Sequence, residues 1–93
     1  PDADSEGDDM NNVVMRKIVL TANYQPVSTQ PVIASVTVSC PPTNQGAALF
    51  KGDDGSDVPF VAGEYHKFNG IDLSSLQVKG TPGDVVTIVG GSW

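Results

Sequence analysis

Val32-Ile33-Ala34-Ser35-Val36-Thr37-Val38-Ser39-Cys40 alternates apolar and polar side chains along its length, Ile33 apart. In an extended chain Val32, Ala34, Val36, Val38 and Cys40 share one face, and Ser35, Thr37 and Ser39 share the other. One buried and one wet face is the mark of an antiparallel sheet, because parallel sheets are usually covered on both faces. Pro41-Pro42-Thr43-Asn44-Gln45-Gly46 then stops the strand, since neither proline has an amide to give to a ladder.

Working outward, Val13 to Ala22 is β-branched enough to form a strand, and Tyr24 to Pro31 reads as a loop bracketed by Pro26 and Pro31. After the central strand come short strands over Ala47 to Lys51 and Val58 to Val61. Gly52-Asp53-Asp54-Gly55-Ser56-Asp57 joins them, with Asp-Gly supplying the positive φ of a hairpin. Ala62-Gly63 turns the chain into Glu64 to Phe68, and Asn69-Gly70 reads as another turn. Ile71 to Ser75 is either a single helical turn or an extended loop, with Leu73 and Leu76 pointing inward. Gln77 to Lys79 and Asp84 to Val89 are the last strands, on either side of Gly80-Thr81-Pro82-Gly83. The echo between Phe50-Lys51-Gly52 and Val78-Lys79-Gly80 reads as two similar hairpin turns. No segment keeps a helical apolar period for three turns. The expectation is an all-β domain over residues 13–93, a small antiparallel β-sandwich or jelly-roll-like barrel, because two stacked sheets give each apolar face a partner.

Charge sets the N-terminus apart. Asp2, Asp4, Glu6, Asp8 and Asp9 supply five of the eleven carboxylates within the first nine residues, with no base among them. Residues 1–12 therefore read as a flexible acidic arm. The remaining chain carries six acids against five bases, and only Arg16 and Lys17 are adjacent. The net charge of −6 argues against nucleic acid, which needs clustered bases to release counterions. No apolar run is long enough for a membrane helix and no leader pattern opens the chain, so no membrane is expected. Cys40 is the sole cysteine. A small buried hydrophobe in a protein made in a reducing cytoplasm is its expected role.

Catalytic chemistry finds no constellation. Asp53-Asp54-Gly55-Ser56-Asp57 lacks the spacing of an EF-hand, and His66, the only histidine, is too few for a metal centre and is expected on an outward face beside Lys67. No enzyme, metal or cofactor is expected. Of the six aromatics, most are needed in the core. Trp93 either folds onto the core or anchors a neighbouring subunit. Met10, Val13, Val14 and Met15 put more apolar surface beside the arm than one strand face can bury. With Trp93 they form the expected interface.

The runs Cys40-Pro41-Pro42-Thr43-Asn44-Gln45-Gly46, Leu49-Phe50-Lys51-Gly52, Val58-Pro59-Phe60-Val61-Ala62-Gly63-Glu64, Ile71-Asp72-Leu73-Ser74-Ser75-Leu76-Gln77-Val78-Lys79-Gly80 and Gly83-Asp84-Val85-Val86 resemble those of small all-β virion proteins of tailed bacteriophages. The resemblance implies a capsid decoration or cement protein, or a head fitting, on the virion surface and made in the host cytoplasm. It carries no catalytic residues. Its implied partners are the major capsid protein and further copies of itself, a trimer as first expectation. The alternative is a carbohydrate- or host-surface-binding β-module of a spike or tail component.

Overall fold

A computed structural model describes residues 11–93. Most of the arm, Met10 included, lies outside the described residues. The strands are β1 (Asn12–Val19), β2 (Gln25–Pro26), β3 (Ile33–Ser39), β4 (Ala48–Lys51), β5 (Val58–Phe60), β6 (Tyr65–Asp72), β7 (Gln77–Lys79) and β8 (Val85–Ser92), with one 3-10 turn at Leu73–Ser75.

Two four-stranded sheets pack face to face, one in the order β1-β8-β3-β6 and the other β2-β7-β4-β5. Every pairing is antiparallel. The orders have a simple origin. β4 pairs with β5, β3 with β6, β2 with β7 and β1 with β8, so the chain is one long hairpin folded back on itself, with Asp53-Asp54-Gly55 at its tip. Rolling that hairpin over brings β8 against β3 and β7 against β4. The result is the strand order of a jelly roll, so the expected class holds in its more specific form. Gly55 at the tip has a φ of +78°, the conformation for which the Asp-Gly pair was read.

The core lies between the sheets. Ala34, Val36, Val38 and Cys40 are buried as the alternation required, and they meet Val14, Val86 and Ile88 of the same sheet and Ala48, Phe50, Phe60 and Val78 of the other. Leu20 and Leu73 close the ends. Ser35, Thr37 and Ser39 face outward, and so does Ile33.

Several boundaries differ from the sequence reading. β1 ends at Val19, not Ala22, because Leu20 turns into the core and the Thr21 hydroxyl bonds the backbone of Asn23. The expected loop from Tyr24 contains β2, and Pro26 is tolerated there because β2 is an edge strand. Asn69-Gly70 does not turn the chain. It sits inside β6, where a positive φ at Gly70 accompanies a register shift opposite Ala34 and Val36. Gly80-Thr81-Pro82-Gly83 is no hairpin either, for it carries the chain from β7 in one sheet to β8 in the other.

Asn44 and Asp84 fasten that crossing, and neither was singled out in the sequence. Asn44 acts as a strand neighbour to Val85: its Nδ2 donates to the Val85 carbonyl at 2.6 Å, and its Oδ1 accepts from the Val85 amide at 3.0 Å. The buried Asp84 carboxylate accepts from the Gln45 and Gly46 amides, each at 3.0 Å. Asp84→Ala strands both amides and is expected to lower stability by about 2 kcal/mol, the desolvation cost of unsatisfied donors. Thermal unfolding checks it, and an unchanged midpoint would mean that water replaces the carboxylate.

Candidate interaction face

The outer surface of the β1-β8-β3-β6 sheet is built by strand register. Val13, Gly91 and Ser35 lie opposite one another across β1, β8 and β3. Met15, Val89, Thr37 and Lys67 form the next row and Lys17, Thr87, Ser39 and Tyr65 the third, with Val19 opposite Val85 beyond. Side chains opposite one another share a face. The face is therefore divided lengthwise. Its β1-β8 half is an apolar stripe in which Val13 is 79% and Met15 70% exposed, joined by Val19 and Val89. Its β3-β6 half is mainly polar, with Ser35, Thr37, Ser39, Lys67 and Asn69, and carries exposed Tyr65 and Ile33 toward its two ends. β1 is moreover an edge strand of eight residues with no strand on its open side among those described. Long apolar edges of this kind favour association.

The expected interface residues are thus sorted. Val13 and Met15 stand together on this face, and Met10 lies outside the described residues. Val14 is corrected: it is 5% exposed and belongs to the core, because alternation along β1 turns it inward beside exposed neighbours. Trp93 follows the end of β8 beside the start of β1, where its carbonyl accepts from Asn12 Nδ2 at 3.3 Å. It is 49% exposed and outside the buried core. The sequence reading missed Val19, Val89 and the β3-β6 half, which only cross-strand register brings together.

The bases on this face are Lys17 and Lys67, and its one carboxylate among the described residues, Asp72 opposite Ile33 at the end of β6, accepts from the Ser74 amide and hydroxyl. The other bases are engaged elsewhere. Arg16 points to the inner side of β1, where Nη1 reaches the Val27 carbonyl at 3.5 Å, an inward charge of the sort that limits edge pairing. Lys51 and Lys79 place their ammonium groups 4.4 Å and 4.7 Å from the Tyr24 ring centre, on the opposite sheet. Lys17 and Lys67 make no ion pair among the described residues. At the β1 end, Gly90 and Gly91 leave a shallow hollow of about 470 Å³ rimmed by Asn12, Val13, Ser35, Lys67 and Asn69.

Elsewhere the polar groups are matched to one another. Tyr24 donates to the Asp57 carboxylate, and burial, reinforced by that bond, pushes its phenol up to about 12. The unfolded phenol titrates near 10, so the unfolded chain loses its proton first. The stabilisation is present below pH about 10 and lost as pH rises toward 12. Phenolate absorbance of wild type minus Tyr24→Phe should show one group titrating near 12; titration near 10 would contradict the contact.

His66 is not on the outward face as expected. It lies opposite buried Val38, at the rim of the sandwich, with its ring 4.6 Å from that of Phe60 and Nε2 2.6 Å from Glu64 Oε2. The hydrogen bond to His66 and the Val61 amide hold the Glu64 carboxyl below its ordinary range. At the hairpin tip Asp54 accepts from the Ser56 amide at 2.8 Å, a local turn. Among the described residues no three His, Cys, Asp or Glu side chains gather as metal ligands, and no helix is long and apolar enough to cross a membrane. Buried Cys40 has Asn44 Nδ2 3.2 Å from its sulfur.

The fold and face define a small jelly-roll sandwich with one partly apolar outer sheet surface. No family model matches the chain, and no curated protein or solved structure matches it.

Proposed function

We propose that this chain is a structural virion protein, a capsid decoration protein that binds the outside of a tailed-phage head and bridges neighbouring major capsid proteins. The observation that carries the reading is the exposed stripe of Val13, Met15, Val19 and Val89 along an open sheet edge, apolar surface that a partner would bury. The jelly-roll order supports it by analogy, since viral capsid domains use that architecture, and lectin domains do too. A domain of this size gains stability from a partner, and many weak contacts repeated by capsid symmetry add up to firm attachment.

Adding the purified protein to phage heads that lack it tests the reading. Saturable occupancy at symmetry-related positions is the expected outcome. No occupancy, with saturable binding to host polysaccharide instead, would replace it with the carbohydrate-binding alternative.

A further inference from the structure

We propose that the hollow at Gly90-Gly91, with Lys67 on its rim, receives the acidic segment of residues 1–9 from a second copy of this chain. Two independent features meet there. Lys67 is a cation that makes no ion pair among the described residues, in a protein of net charge −6. The segment carries five carboxylates and no base, so nothing within it neutralises them. The rim also offers the side-chain amides of Asn12 and Asn69, donors suited to carboxylate oxygens.

The direction of the chain selects a second copy over the same one. Asn12 lies opposite Ser92 and the Asn11 amide donates to the Ser92 carbonyl, so β1 begins at the end of the sheet and runs inward from it. To lie back over its own hollow it would have to reverse within a few residues of Asn11, using Asp8 and Asp9 in the turn. Nine extended residues span about 30 Å, enough to reach a neighbour without a reversal. The contact needs no capsid and covers only the Val13 end of the apolar stripe, leaving Met15, Val19 and Val89 free for one.

Zero-length carbodiimide cross-linking of an equal mixture of unlabelled and heavy-isotope-labelled full-length protein tests this. The expected products are mixed-label cross-links between carboxylates of residues 2–9 and Lys67. Cross-links confined to single copies, or spread evenly over Lys17, Lys51, Lys67 and Lys79, overturn the proposal. Sedimentation velocity gives a second readout. Self-association should weaken about tenfold between about 0.05 M and about 0.5 M salt, as screening removes exposed ion pairs, and Lys67→Glu should weaken it as much at low salt with the fold retained by circular dichroism. A strictly monomeric wild type, or association unaffected by salt and by Lys67→Glu, also overturns it. Neither failure bears on head occupancy, which is measured separately.

Discussion

Val36→Asp is expected to leave no folded protein. Val36 is 2% exposed at the centre of β3, with β6 on one side, β8 on the other and the second sheet above it. A carboxylate there has no cationic partner, and uncompensated buried charge costs about 3–5 kcal/mol or more. A domain of this length has only about 5–10 kcal/mol in total. Thr37→Asp moves the same charge one residue along, onto the outer face beside Lys67, and is expected to change stability by less than about 1 kcal/mol. Circular dichroism and thermal unfolding of the two variants decide the facing of β3. A folded Val36→Asp with an unfolded Thr37→Asp would mean the register is inverted.

Gly90→Ala is expected to be nearly as damaging, although it adds one methyl group. A Cβ at Gly90 would lie 2.0 Å from the Ser35 carbonyl oxygen and 2.6 Å from the Val36 Cα. These are backbone atoms of β3, so relief requires β8 and β3 to separate at the centre of the sheet. A loss of about 4 kcal/mol or more is expected, the range reserved for strain of this kind. Gly52→Ala is the control, since nothing lies within 4 Å of its Cβ position. It should stay within about 0.5 kcal/mol of wild type. Chemical denaturation of both variants checks the pair, and equal stabilities would show that the sheet yields at Gly90.

These two positions also show what was legible in the sequence. The alternation over Val32 to Cys40 gave the facing of β3 and with it the antiparallel sandwich, because a period of two allows only one apolar set. The Asp53-Asp54-Gly55 tip was legible as well, since its turn chemistry is local. What escaped depends on contacts far apart in the chain. The last strand reads as ending at Val89, yet β8 runs on through Gly90 and Gly91, and β3 passes too close for a side chain at Gly90. Asn69-Gly70 reads as a turn, but pairing with β3 keeps it in β6 as an irregularity. The Asn44 and Asp84 contacts join residues about forty apart, a separation that no local pattern encodes.

The candidate face was half legible. Apolar surface around Val13 and Met15 could be inferred from composition, but Val14 could not be separated from its neighbours until β1 was fixed as an edge strand with one face on the core. Val89 and Lys67 join the face only through register across β8, β3 and β6.

The outer face of the β1-β8-β3-β6 sheet as a docking surface is tested most directly by head occupancy of Met15→Glu, measured beside its melting temperature. Met15 is exposed and outside the buried core, so the fold should tolerate glutamate, with the midpoint changed by no more than a few degrees. A charge placed in a buried apolar contact should lower affinity for phage heads by about 2 kcal/mol or more, roughly thirtyfold. Retained melting temperature with lost occupancy is the expected result; occupancy equal to that of wild type would contradict the assignment of this face.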